Sequence, residues 1–458
     1  MLSFLKRRAK MVETRLHVMQ RDMSGMEKYF DALPKSMPAV REPFERGRAA
    51  MDAYKWEEAI AFFQKAAEEA KGTELVALFN LMGLCHCTSG RPDYALRDYE
   101  ESTSLAEKFD DKPGKAVNLG NMGNLYRAKG ESDKAIKCHE EALAIHREVG
   151  YQPGVAAALG NIGNIYSTKG ELDKALTYLE KALAMEREIG YRPGVANQLG
   201  NIGNIYSTRG ELDKALESLE EALAIDREIG YQQGVASDLG NIGVIYRARG
   251  EPDKALEYLE EALAINHKIR YRRGVANQLG NIGNIYSTRG ELDKALEYYE
   301  EALTIDREVG YQPGVAKHIG NIGLVYSLKG EPERAVMYCM EALATYREIR
   351  YQPGVASTLG NIGNAYVWTM KIAVQPAAAR NKEVAGLAQK AIEYLVPALG
   401  MLLQMGIADG PEQCLWGLGE CCEVLGRVRF VALCVKAGMS EEKAEGLAEA
   451  RPGATEYS

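Results

Sequence analysis

Residues 159–190 read LGNIGNIYSTKGELDKALTYLEKALAMEREIG. Leu159, Ile162 and Tyr166 fall at i, i+3 and i+7, and at about 100° per residue they share one stripe of a helix. Lys169, Gly170 and Glu171 interrupt that pattern, after which Leu172, Ala175, Leu176, Leu179, Ala182, Leu183 and Ile189 form a second apolar stripe. The stretch predicts two amphipathic helices joined by a tight turn. Gly190 stands where a helix ends in a left-handed residue, and Pro153 suits the first turn of a helix, so another short turn joins one unit to the next.

The unit recurs. Gly83, Gly123, Gly163, Gly203, Gly243, Gly283, Gly323 and Gly363 lie forty residues apart, so most of the chain is one unit copied end to end. Twelve residues after each glycine comes the small Ala of the second helix, and Gly47 with Ala59 extends the series upstream at a shorter spacing. Downstream the pattern fails after Gly363, where Lys371 to Arg380 replaces the expected turn. With Ala391 as the displaced small residue, sixteen residues beyond its regular place, the next glycine falls at Gly419, which is present. This gives ten repeats, the last degenerate, with Val431 at the Ala position. Stacked repeats touch mainly their neighbours, so an elongated superhelix is expected.

The spacing Leu159, Ile162, Gly163, Tyr166, Ala175, Leu179, Ala182 resembles the tetratricopeptide (TPR) signature. The forty-residue period, against the usual period of about thirty-four, is similar to the long repeats of the LGN/Pins cell-polarity adaptors and of many bacterial and archaeal TPR proteins. The string Leu159-Gly160-Asn161 recurs at Leu119, Leu199, Leu239, Leu279 and Leu359. The resemblance covers about residues 40–435 and implies an all-α fold, a right-handed TPR superhelix. The C-terminal G-protein-binding motifs of the LGN adaptors are absent, so that role is not implied.

The 458-residue chain has no linker rich in Pro, Gly or Ser, which favours one continuous solenoid over separate globular domains. We divide it into a basic amphipathic capping region (1–39), the TPR array (40–370, regular from about 76), an insertion (371–381), a degenerate C-terminal TPR region with its cap (382–438), and a terminal helix and tail (439–458). The net charge is −8, much of it on the second helices, as at Glu217, Glu220, Glu221, Asp226 and Glu228, which reads as a solvated outer face. Nucleic-acid binding, which needs a basic stripe, is not expected. The first 50 residues carry eleven Lys and Arg against six acids on an amphipathic stripe from Leu5 to Phe30. A cap on the first repeat explains that stripe better than membrane contact, because Met23 to Leu33 is too apolar to leave exposed. Neither a signal peptide nor an apolar run of spanning length is visible, and a cytoplasmic protein is expected.

Chemistry-bearing motifs are sparse. The eight cysteines lack metal-binding spacing, since Cys85 and Cys87 point to different sides of a helix and Cys414, Cys421, Cys422 and Cys434 form no CxxC pair. Six histidines form no metalloprotease motif, and the Gly160-x-x-Gly163 pairs follow no strand, so no phosphate loop is expected. Neither a cofactor nor a metal nor catalysis is expected.

What remains is the face of the first helix opposite its apolar stripe. Asn161, Asn164 and Thr168 lie about 180 to 240° from that stripe. The first position recurs as Asn121, Asn161, Asn201, Asn241, Asn281, Asn321 and Asn361; the second as Asn124, Asn164, Asn204, Asn284 and Asn364, interrupted by Val244 and Leu324. The TPR resemblance places both series in the concave groove, where LGN-type proteins and O-GlcNAc transferase use asparagines on a bound peptide's backbone. A carboxamide both donates and accepts, so such a ladder reads main chain rather than side chains. Against this, Gly200 to Leu216 is identical to Gly280 to Leu296, a mark of duplication, and an exposed Asn is also an ordinary solvated residue. Specificity would fall to the irregular positions Arg127, Arg247, Lys317 and Trp368, with Val244, Leu324, Leu328 and His318. The sequence thus reads as a protein-binding scaffold holding an extended segment of a protein or peptide partner. A peptide-sensing regulator of a bacterial or archaeal signalling system is the second reading, and an enzyme with a site assembled across repeats the third.

Overall fold

The computed structural model describes residues 38–373, 382–405 and 411–449; residues 1–37 of the expected N-terminal cap (1–39) and the part of the expected terminal helix and tail (439–458) from 450 lie outside them. Every regular element among the described residues is a helix, and the chain forms two compact units, Met1–Ile229 and Gly230–Ser458. The first unit holds α1 (Pro38–Asp52), α2 (Trp56–Glu69), α3 (Thr73–Thr88), α4 (Pro92–Lys108), α5 (Lys112–Ala128), α6 (Ser132–Glu148), α7 (Gln152–Thr168), α8 (Leu172–Glu188), α9 (Arg192–Thr208) and α10 (Leu212–Glu228). The second holds α11 (Gln232–Ala248), α12 (Pro252–Lys268), α13 (Arg272–Thr288), α14 (Leu292–Val309), α15 (Gln312–Leu328), α16 (Pro332–Glu348), α17 (Gln352–Ala373), α18 (Lys382–Gln404), α19 (Pro411–Leu425), α20 (Arg427–Lys436) and α21 (Glu441–Glu449). In each unit a first helix packs on the second helix of its own repeat and on that of the repeat before, the pattern of an all-α solenoid.

The turn inside the repeat ends α7 at Gly170, with φ +77°, and the Glu171 N–H donates to the Tyr166 carbonyl at 3.0 Å, so the chain reverses within three residues. The helices of one repeat then approach closely: a Cβ on Gly163 would stand 2.8 Å from Leu179 Cγ and 3.2 Å from the Ala175 carbonyl oxygen. That approach is the physical reason for the forty-residue glycine and for the Ala twelve residues on. Tyr166 and Tyr178 stack at 5.6 Å, with Lys174 over Tyr166 at 5.2 Å. Between repeats, Lys169 pairs with Asp133 at 2.7 Å and Lys329 with Asp293 at 2.6 Å. Such exposed pairs contribute at most about 1 kcal/mol each.

Three expectations change. Asp226 is not on the solvated face: only 5 % of it is exposed, and burial pushes its carboxyl up to about 6. Its counterparts Glu186 and Asp306 are fully buried because the last turn of a second helix packs under the next first helix, at Gly194 and Gly314. Second, the first part of the expected insertion is helical, since α17 continues to Ala373; residues 374–381 lie outside the described set. The displaced register itself holds: a Cβ on Gly363 would meet Leu395 and the Ala391 carbonyl, as Gly163 meets Leu179 and Ala175. Third, the buried i, i+4 pair of the last second helix is Phe430 and Cys434, with Val431 only half-buried. The turn there contracts to Gly426, so α20 starts early and its phase slips by one residue.

Candidate functional site

The asparagine positions lie on the first helices α5, α7 and α9 in one unit and α11, α13, α15 and α17 in the other. All are half-buried except Asn204, which is exposed, so the face is a hollow rather than a free surface. Several carboxamides bond within the protein. Asn121 Nδ2 donates to Asn80 Oδ1 at 3.4 Å, Asn80 donates to Asn118, and Asn118 Nδ2 donates to Ser102 Oγ at 2.8 Å, a chain that runs into the core. Asn201 Nδ2 donates to Asn197 Oδ1 at 3.3 Å and Asn281 Nδ2 to Gln278 Oε1 at 3.5 Å. Asn284 Oδ1 accepts from Tyr299 Oη at 2.7 Å and from Asn321 Nδ2 at 3.3 Å, so Asn284 braces the repeat as well as facing the hollow. That double role was not legible in a pattern that treats every copy alike.

Among the described residues a cleft opens on this face in each unit. The first, about 340 Å³, lies among α5, α6 and α7 and is lined by Asn124, Asn161, His139, His146, Gly120 and Ala158. Burial holds the His139 imidazole down to about 4, with the Arg127 charge acting the same way, and burial also lowers His146; both rings are neutral at pH 7. The second, about 370 Å³, is lined by Leu324, Leu328, Asn361, Asn364, Trp368 and Trp416. Trp368 is 46 % exposed and its ring centroid lies 6.2 Å from that of Trp416. Lys371 Nζ sits 5.0 Å over Trp416 and pairs with Glu420 at 3.0 Å.

Sequence reasoning missed Trp416 and the two histidines. Trp416 stands three residues before Gly419, where earlier copies carry Gly160 or Gly200, and Gly417 stands where they carry Asn161. The exchange was visible once the register was fixed. The close approach of Gly417 to Asn364 Oδ1, 2.7 Å from where a Cβ would stand, shows what it accomplishes.

Of the expected specificity residues, Arg127 is exposed and Arg247 half-buried. Lys317 has exposed surface, yet burial among surrounding groups pushes its ammonium below the usual lysine range and Arg247 adds to this, while Asp306 opposes it. Surface reachable by solvent inside a crowd of protein atoms is what a hollow gives. Arg247 also acts on the Tyr299 hydroxyl, so Arg247, Lys317, Tyr299 and Asn284 share one region of the second unit. His318 does not face the hollow: it is fully buried, with Nε2 3.3 Å from Asp306 Oδ2.

Models of the tetratricopeptide repeat match residues 73–148, 154–228, 233–308 and 315–349, more than half of the chain. The chain belongs to the tetratricopeptide repeat family. No curated protein matches it. Among solved structures, the apo form of the quorum sensor NprR from B. thuringiensis is 14% identical, with a TM-score of 0.57 over 75% of this chain and 96% of that one. The apo form of RapI is 15% identical, with a TM-score of 0.51 over 59% and 98%. At these identities the likeness shows a shared fold.

Elsewhere in the TPR array the reactive side chains are packing groups. No disulfide joins the eight cysteines, and burial pushes Cys85, Cys339 and Cys434 up to about 12 and Cys414 to about 11, which keeps these four protonated near neutral pH. Among the described residues no group of three His, Cys, Asp or Glu is placed to hold a metal ion, and no helix is long and apolar enough to cross a membrane.

Proposed function

We propose that this protein is a non-catalytic interaction scaffold that holds an extended segment of a protein partner against the hollow face of its first helices. The observation that carries this reading is the placement of Asn124 with Asn161, and of Asn361 with Asn364, on the walls of clefts with room for a ligand. Carboxamides at successive repeats pair with main-chain N–H and C=O groups, and the irregular side chains select among sequences. The test is a peptide of about twelve residues selected on the full chain from a random display library, then resynthesised with single backbone N-methyl groups. Alternate N-methyl groups should each weaken binding about fivefold, one main-chain hydrogen bond being worth about 1 kcal/mol. Uniform tolerance of N-methylation would overturn backbone reading.

The fold shared with NprR, named a quorum sensor, favours a second reading in which the occupant is a short free peptide and the protein a peptide-sensing regulator. The two readings separate on whether the selected peptide binds as well free as when fused inside a folded carrier.

A further inference from the structure

Two cations on the first helices of the second unit stand without a counter-ion. Arg247 on α11 and Lys317 on α15 form neither an ion pair nor a side-chain hydrogen bond with the described residues. Arg289 and Lys329, just past the ends of α13 and α15, by contrast pair with Asp253 and Asp293 of the preceding repeat. Both cations depart from the repeat: sister copies carry Asn277 and Ser357 in the place of Lys317, and Ser287 and Ser327 in the place of Arg247.

The two converge on the helix between them. α13 touches both α11 and α15, and on it Asn284 is held in one orientation. Its Oδ1 accepts from Tyr299 Oη at 2.7 Å and from Asn321 Nδ2 at 3.3 Å, which leaves its Nδ2 toward the hollow with no partner among the described residues. The Arg247 charge acts both on that Tyr299 hydroxyl and on Lys317, so the guanidinium reaches the surroundings of Asn284. The acid that acts on Lys317 is Asp306, which is fully buried 3.3 Å from His318 Nε2 and does not open on the hollow. Two positive charges crowded together repel, and burial already pushes the Lys317 ammonium below the usual lysine range. An anion between them relieves both costs.

We propose that Arg247, Lys317 and Asn284 Nδ2 form a site for a phosphoryl group carried by the bound segment. A carboxylate leaves one of the two cations uncompensated, whereas a phosphomonoester carries about −1.5 to −2 at pH 7 and three acceptor oxygens. Three oxygens suit a guanidinium fork, an ammonium point charge and an amide N–H that arrive from three different helices. That the group comes on a peptide rests on the scaffold reading above; the anion site itself does not.

The experiment titrates methyl phosphate and, separately, acetate into the 15N-labelled full chain in about 0.15 M salt, which screens diffuse attraction. The Arg247 Nε–H and Asn284 Nδ2–H signals are followed, assigned by their loss in Arg247→Ser and Asn284→Val. These variants import what Ser287 and Val244 supply in sister copies, so the helices are kept. Saturable shifts with methyl phosphate are expected, with acetate at least about tenfold weaker. Lys317→Asn, the residue of Asn277, should weaken methyl phosphate about tenfold at unchanged circular dichroism, and Arg247→Ser should weaken it further on the Asn284 signal. The combined replacement of Asn161, Asn164, Asn201 and Asn204 by Ala, which tests the peptide reading in the first unit, should leave the methyl phosphate response intact. A degenerate phosphoserine peptide pool should bind the parent more tightly than methyl phosphate and than the same pool with plain serine. Absence of a saturable shift, acetate as tight as methyl phosphate, or unchanged binding in both Arg247→Ser and Lys317→Asn would each overturn the site. A phosphopeptide pool no tighter than methyl phosphate would overturn the peptide as the source and leave a free phosphate ester in its place.

Discussion

The two clefts sit on the same helix face and share the asparagine positions, yet their walls have opposite character. In the first unit, Asn124 and Asn161 border small residues and two neutral imidazoles. In the second, Asn361 and Asn364 border Leu324, Leu328, Trp368 and Trp416. On the proposed reading, duplication kept the part that would meet a peptide main chain, and divergence fell on neighbouring positions that would meet side chains. Each unit would then select for itself, a polar group in the first and an apolar one in the second.

The difference is breakable at its largest in the apolar cleft. Replacing Trp368 and Trp416 together by Ala should weaken peptides selected for binding there about a hundredfold or more, since exposed aromatic anchors in a cleft carry about 2 kcal/mol or more each. Peptides selected for binding in the cleft of the first unit should be unaffected. Equal losses for both peptide sets would mean that the clefts do not divide specificity.

Acid sharpens the same contrast. The His139 imidazole is held down to about 4 from an ordinary 6.5, so its contribution to stability is complete above about 6.5 and is lost as pH falls toward 4, by at most about 3 kcal/mol. Asp226 works the other way: raised to about 6, its carboxyl favours the fold increasingly as pH falls from there toward 4. His139→Leu, the residue at Leu179 and Leu219, should remove its own share of the acid loss, leaving that of His146, whose imidazole burial also lowers, and leaving the Asp226 gain. Hydrogen exchange of α6 amides for the histidines and α10 amides for Asp226, between pH 4 and 6.5, measures this locally, as suits an array that need not unfold in one step.

Much of this was legible before any coordinates. The period gave the helix pairs, the glycine-to-alanine interval gave the close approach, and the displaced register correctly placed Ala391 and Gly419. What stayed hidden depended on contacts between copies. Asp226 looks like one more acid of a charged helix until its burial is seen. Asn284 looks like its sisters until Tyr299, at a place where other copies hold Leu, reaches its carbonyl. Phe430 replaces Val431 in the core because a shortened turn changes phase, which composition does not report.

Smaller effects follow from individual glycines. Gly163→Ala should destabilise by about 1–3 kcal/mol, because the new methyl meets Leu179 and the Ala175 carbonyl. Gly120→Ala should stabilise by up to about 1 kcal/mol, because its methyl meets nothing and alanine favours helix. Opposite signs in chemical denaturation would confirm that the two glycines serve different ends. Smallest is Arg350→Gly: Arg350 holds φ +56° where other copies carry Gly190 or Gly310, and relief of that left-handed strain should gain about 0.5–1 kcal/mol.

The central claim is that the asparagine face grips a peptide main chain, and the most direct measurement is binding of the selected peptide to the variant with Asn161, Asn164, Asn201 and Asn204 all replaced by Ala. Substitutions on this half-exposed face leave the helices intact, so circular dichroism and melting should change little. Four lost hydrogen bonds of about 1 kcal/mol each predict an affinity down by up to about a thousandfold, less where the bonds are not additive. A folded quadruple variant that binds the peptide as tightly as the parent would contradict the account.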